Sequence, residues 1–287
     1  MIKKISQYYQ IFCNLSLDVI LGVCCCMISI PICFQIAMPL LWYISLPLST
    51  WAIYLADHLI DVFRNQNEYP TPRHQFIKKH FKQIAFLIIL ICLVDMFFLI
   101  KYFNTLIVLS GIPLVFLVLL HFILVRVNPQ VKSMINNKEF AVATIYAIGI
   151  YVSPLFILYL KGNIFIPIIC FLIFYTLTFM NLLMVSIIEY DYDKQMKNSS
   201  WVINISVSKS TNIFYVLVAI VISLGCSMFA FVDENVKLLL IIYQLMAIGH
   251  FFIFRKRMNL MSYLAYRKLA EILFWLPGII YIITIFR

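Results

Sequence analysis

Long apolar runs broken by short polar stretches set the pattern of this chain, and the runs have the length of helices that cross a bilayer. The hydrocarbon core takes about 20 mostly apolar residues in a helix. Nine runs qualify: Leu17 to Ile36, Pro39 to Ile60, Ile84 to Phe103, Leu106 to Val125, Phe140 to Leu160, Ile164 to Ile188, Ile213 to Val232, Val236 to Phe254 and Leu269 to Phe286. The pattern predicts an all-α, polytopic membrane protein with nine transmembrane helices in a single domain over residues 1–287. The first run is too long and too poorly flanked for a cleaved signal peptide. Residues 1–16, with aromatics on one side and Lys3 and Lys4 near headgroups, predict a helix lying in the interface.

Composition supports this. The chain is 64% hydrophobic and 12% charged, where soluble chains run nearer half and a quarter. A soluble domain of 287 residues cannot hide so much apolar surface. The net charge of +10 is read as loop charge facing anionic lipid, not as a nucleic-acid surface. The eight cysteines fall mostly in apolar runs without metal-ligand spacing to histidine, so they read as small buried hydrophobes and not as a disulfide framework.

Basic residues orient the runs. With the N-terminus in the cytoplasm and the C-terminus outside, the cytoplasmic segments hold 18 of the 22 Lys and Arg. Only Lys101, Lys161, Lys237 and Arg287 lie outside. This asymmetry is the positive-inside rule applied to nine spans in a cell membrane. Outside connections are short and inside ones long and polar, so chemistry is expected at the cytoplasmic face.

Acidic residues concentrate at two helix ends on that face. One stretch is Tyr54-Leu-Ala-Asp57-His58-Leu-Ile-Asp61-Val-Phe-Arg64; the other is Ser186-Ile-Ile-Glu189-Tyr190-Asp191-Tyr192-Asp193-Lys194. Residues four apart share a helix face, so Asp57 with Asp61 and Glu189 with Asp193 each point one way. Stacked like charges near apolar surroundings need a counter-charge. Mg²⁺ supplies it, being a hard ion that takes carboxylate oxygens together with substrate phosphates. Four carboxylates, two such ions and a diphosphate still sum to a negative site, so basic side chains belong around it. Arg64, Arg73, Arg126, Lys132, Lys138 and Lys194 are the candidate diphosphate-binding residues.

The layout resembles the UbiA-type intramembrane prenyltransferases, nine-helix enzymes with one Asp-rich motif after the second helix and another after the sixth. Their first motif reads roughly N-x-x-x-D-x-x-x-D, followed by a basic stretch with T-x-x-R-P. Asp57 and Asp61 match its aspartates, Thr71-Pro-Arg73-His74 resembles a reduced basic stretch, and Ile53 stands where the family has Asn. Glu189 and Asp193 stand for the second, D-x-x-x-D. As topology the resemblance covers nearly the whole chain; as sequence it rests on these two short motifs, in the manner of a divergent member.

The resemblance implies a central cavity open to the cytoplasmic side. It implies that Asp57, Asp61, Glu189 and Asp193 are catalytic residues binding Mg²⁺, and that the substrates are an isoprenyl diphosphate donor and a lipophilic or aromatic acceptor, as in quinone or related lipid biosynthesis. Ionisation of the allylic C–O bond would be helped by metal and Lys/Arg at the leaving group. An apolar cavity would keep water from the carbocation. Trp51, Tyr54, Tyr146 and Tyr175 are candidates to line it, although ordinary lipid or helix packing is the favoured reading of such aromatics.

Other polar positions read as structural. Asp95, within the third run, is expected to be protonated or paired. His121 and His250 are expected to be satisfied interior histidines. His58 is assigned to a different face from Asp57, while His74 lies in reach of phosphate. Arg267 and Glu271 form an i,i+4 pair. Two other functions compete with prenyl transfer. A transporter or non-catalytic protein on the same helices would place polar residues at midmembrane. A phosphoalcohol transferase would carry an Asp-Gly-x-x-Ala-Arg run, which the sequence lacks.

Overall fold

A computed structural model describes the chain except Met1, residues 65–71, 127–137, 196–199 and 261–264, and Arg287. For residues 2–7, 63–64 and 124–126 only the backbone is described. The described residues form helices and no strand. In chain order these are α1 (Ile2–Asn14), α2 (Leu17–Phe34), α3 (Leu40–Arg64), α4 (Pro72–Lys79), α5 (Phe81–Lys101), α6 (Thr105–Arg126), α7 (Lys138–Leu160) and α8 (Phe165–Ile188). They continue as α9 (Tyr190–Gln195), α10 (Trp201–Ile205), α11 (Val207–Met228), α12 (Glu234–Arg255), α13 (Arg257–Leu260), α14 (Ala265–Leu273) and α15 (Gly278–Ile285). A helix closes its own backbone hydrogen bonds, which is why apolar runs surrounded by lipid take this form.

Among the described residues seven helices are long and apolar enough to cross a membrane: α2, α5, α6, α7, α8, α11 with the short 3-10 turn that follows it, and α12. Helices α14 and α15 pass only as a pair bent by 44°, which makes eight if the pair is one span. Pro277 lies at that break, and a proline there withholds one backbone donor. The nine spans of the sequence pattern are therefore not reached. The difference is α3. It has 25 residues, about 37 Å at 1.5 Å per residue, so its length suffices. Its Trp, Tyr, Pro, Ser and Thr side chains, and the acids of its last turns, lower its apolarity.

The chain separates into two compact units, Met1–Cys24 with Met38–Val108, and Cys25–Ala37 with Leu109–Arg287. In the first, α3 packs on α4 and α5, and α1 on α4. Leu48, Ala52, Leu55, Leu59 and Val62 make one stripe of α3 at helical spacing and meet Ile77 of α4 and Ile84 and Ile91 of α5. That stripe turns Asp57 and Asp61 away from the packed face. Asp95 of α5 accepts a 2.7 Å hydrogen bond from Ser49 Oγ of α3, as the expectation of a paired aspartate requires.

In the second unit α8 is largely buried. Phe174 sits among Tyr146, Tyr151, Tyr243 and Phe274. The buried hydroxyls of Tyr151 and Tyr243 lie 2.7 Å apart. His250 is buried and its Nδ1 donates to the Met246 carbonyl at 2.8 Å; its Nε2 is buried with no hydrogen-bond partner among the described residues, so the expectation of a satisfied interior histidine is met at one ring nitrogen only. Helices α12 and α14 come close at Gly249, where a Cβ would stand 2.6 Å from Leu273 Cδ2. None of the eight cysteines is in a disulfide.

Helices α5 and α6 leave broad apolar faces uncovered, among them Phe86, Ile89, Leu93, Phe97, Ile112, Phe116 and Leu119. An uncovered apolar surface of that kind marks contact with lipid. An arginine at such a point costs about 2.5–3.5 kcal/mol of insertion free energy near a span centre. Ile89→Arg is accordingly expected to lower the inserted fraction of the α5 segment in a glycosylation-mapping assay. Full insertion would show that this face does not meet lipid.

Candidate functional site

The first acidic motif ends α3. Asp57, His58 and Asp61 are all half-buried there. The short helix α4 brings Arg73 and His74 back onto this end. The His74 ring stands perpendicular to that of His58, with centroids 5.8 Å apart. One ligating atom each of His58, Asp61 and His74 lies within 4.8 Å of the other two. His58 is three residues before Asp61 and so shares its face. Its assignment to a different face from Asp57 leaves room for this, and the i,i+3 spacing to Asp61 was the available signal.

Arg73 is anchored rather than loose. Its Nη2 reaches Asp18 Oδ2 at 3.4 Å, and its Nη1 donates to His58 Nε2 at 3.4 Å. Asp18 is buried in the first turn of α2 and belongs to neither acidic motif. An acid opening an otherwise apolar run was its only mark in the sequence. Trp51 donates from Nε1 to the Leu15 carbonyl at 2.9 Å, and Tyr54 packs edge-on to His58.

The second acidic motif spans a break between helices. Glu189 caps the C-terminus of α8, and helical spacing persists across the break because the Asp193 N–H donates to the Glu189 carbonyl at 2.9 Å. The Glu189 carboxylate is taken by α14: Arg267 donates through Nε and Nη2, and Tyr266 through its hydroxyl. This two-pronged pairing is the strong form of an arginine–carboxylate contact. Asp193 is half-buried and Asp191 exposed. Ser186, one turn before Glu189, serves another acid: its Oγ donates to Glu139 Oε1 at 2.7 Å. The Trp201 N–H, at 3.1 Å from both Glu139 oxygens, completes that buried site. Glu139 thus joins the start of α7, the end of α8 and the start of α10.

Of the basic residues expected at a diphosphate, Arg73 is placed beside the first motif. Lys138 is exposed at the start of α7. Lys194 is exposed, with Nζ 5.9 Å from the Tyr190 ring centroid. Lys132 and the side chains of Arg64 and Arg126 lie outside the described residues. Arg267 is a cation that the sequence pattern paired with Glu271 and the structure holds to Glu189. The carboxylate it holds lies 78 residues away, beyond any helix periodicity.

The first motif fits a divalent cation: Asp61 supplies a carboxylate, Asp57 is four residues back, and two imidazoles are at hand. The second fits less well, because a metal at Glu189 would have to displace Arg267. In comparisons with known proteins, no family model matches the chain, and no curated protein or solved structure matches it either.

Removing one partner of an enclosed ion pair strands the other charge, which costs roughly 3–5 kcal/mol when the pair is fully buried. Arg267 is partly exposed, so Arg267→Ala is expected to cost less, on the order of 2 kcal/mol. The double variant Arg267→Ala with Glu189→Ala should recover part of that loss in thermal unfolding of the detergent-solubilised protein. Additive losses would mean that the pair is not coupled.

Proposed function

We propose that this protein is a membrane-embedded prenyltransferase, moving the prenyl group of an isoprenyl diphosphate to a lipophilic or aromatic acceptor. The observation that carries the reading is the return of Arg73 and His74 onto the end of α3. A D-x-x-x-D turn and the basic stretch that follows it in the sequence meet at one place. That pairing of acids with a guanidinium is what a metal–diphosphate group needs.

In this reading α3 is a further span despite its polar end, and with the bent α14–α15 pair it brings the total to nine. The N-terminus is cytoplasmic, which puts the polar end of α3 at the cytoplasmic face, where a water-soluble diphosphate head arrives. Mg²⁺, held by Asp57 and Asp61, would neutralise charge on the departing diphosphate. Arg73 orients a phosphate oxygen from the other side. Glu189 of the second motif is already held by Arg267 and Tyr266. The prenyl tail lies in an apolar cavity among the helices, which excludes water from the cationic carbon.

The pairing of Glu189 with Arg267 and Tyr266 favours a second reading, a transporter or non-catalytic protein on the same helices, because it ties up one of the four carboxylates the reaction would use. The two separate on one preparation. Incubated with Mg²⁺ and radiolabelled prenyl diphosphates of graded length, the purified protein should release inorganic diphosphate and label an added aromatic acceptor. Asp57→Ala with Asp61→Ala should reduce both by at least about a hundredfold, in line with removal of groups that stabilise transition-state charge. Diphosphate binding that survives this double substitution would sink the enzymatic reading. Flux of unaltered substrate into liposomes would establish the other.

A further inference from the structure

We propose that His58, Asp61 and His74 bind a divalent transition-metal ion that prefers imidazole, with Arg73 beside it to hold an anionic ligand of that ion. This goes beyond the prenyltransferase reading and stands without it, although the two share Asp61.

The argument starts from the donors. Two imidazoles and one carboxylate suit Mn²⁺, Fe²⁺ or Zn²⁺, whereas Mg²⁺ is held by oxygen. Three such ligands leave coordination positions open for water or a small anion. The ligand atoms already lie within 4.8 Å of one another. Around a bound ion with bonds near 2.1 Å, neighbouring ligand atoms stand about 3.4 Å apart. Closing the site therefore takes shifts of an ångström or so, within the range of side-chain rotation. His58 and Asp61 share a turn of α3, and His74 comes from α4, so the two helices would be clipped together by the ion. All three side chains are half-buried: shielded enough to strengthen the bonds, yet reachable from outside.

Arg73 shapes the site from the other side. A guanidinium only donates, so its contact at 3.4 Å requires the lone pair of neutral His58 at Nε2 and leaves the proton on Nδ1. A neutral imidazole has a single lone pair, so a metal bound to His58 must break this contact. Arg73 then keeps its hold on Asp18, 3.4 Å away, with Nη1 released toward the open coordination positions. A phosphate or carboxylate oxygen on the ion would find the guanidinium there.

Mn²⁺ is the suitable probe, because it takes imidazole and carboxylate and has little affinity for the chain's eight thiols. The full-length protein in nanodiscs is titrated with Mn²⁺ at a hundredfold excess of Mg²⁺, and the bound ion is examined by pulsed electron paramagnetic resonance. The expected result is one Mn²⁺ per chain whose signal shows coupling to imidazole nitrogen. His58→Ala and His74→Ala should each weaken binding at least about tenfold. Arg73→Gln, which removes the competitor for His58 and a neighbouring positive charge, should tighten it a few-fold, a sign that misfolding does not produce. Asp57→Ala should keep the nitrogen-coupled ion while losing diphosphate turnover, so that failure of the enzymatic reading and failure of this one are told apart. Displacement by Mg²⁺, absence of nitrogen coupling, or an Arg73→Gln variant that binds no more tightly would each overturn the proposal.

Discussion

A carboxylate withdrawn from water has to be met by a donor or a cation, because its hydration is lost and the apolar surroundings return nothing. That requirement arranges the polar parts of this protein. Asp18 is met by Arg73, Asp95 by Ser49, Glu139 by Ser186 and the Trp201 N–H, and Glu189 by Arg267 and Tyr266. Each contact joins two elements distant in sequence. The apolar faces supply most of the contact area, and on their own they leave helices free to rotate and slide. The paired acids select one arrangement, since a slipped helix would strand a charge.

The same requirement separates the two acidic motifs that the sequence presents as equivalent. At Glu189 the counter-charge comes from the protein, through a guanidinium that occupies both carboxylate oxygens. A site neutralised in that way is stable and has little call for an ion. At the end of α3 the surroundings are different. Asp61 faces two imidazoles, groups that ligate metals readily and change charge easily, and the nearby guanidinium is already directed to Asp18 and His58. Glu189 thus sits in a structural clasp, while Asp61 stands among imidazoles of the kind that ligate metals.

α3 shows why the span count and the site are linked. Its early turns, with Leu48, Ala52 and Leu55, are those of a packed helix, and its last turns carry Asp57, His58 and Asp61. A helix that spends its last turns on polar groups falls short as a span by composition. For the same reason it can deliver ionisable side chains to the end of a bundle. Helices α14 and α15 make a comparable compromise. The bend at Pro277 interrupts the apolar run, while α14 carries the Tyr266 and Arg267 that hold Glu189.

What the sequence determined by itself is what short-range periodicity and hydropathy carry. Helical runs, their membrane character, the placing of acids at helix ends and the i,i+4 alignment of Asp57 with Asp61 follow from residues within a few turns of one another. The pairing of Asp95 was legible too, since a lone acid in an apolar helix seeks a donor nearby and finds Ser49; for His250 the expectation holds at Nδ1 and not at the unpartnered Nε2. Only the tertiary structure decided which partner each charge takes. Arg267 sits four residues from Glu271 and is held to Glu189 across 78 positions; Arg73 goes to Asp18 across 55; Ser186 turns to Glu139 across 47. The physical reason is that electrostatic pairing acts through space over a few ångströms, and proximity of that kind between remote segments exists only once the helices have packed.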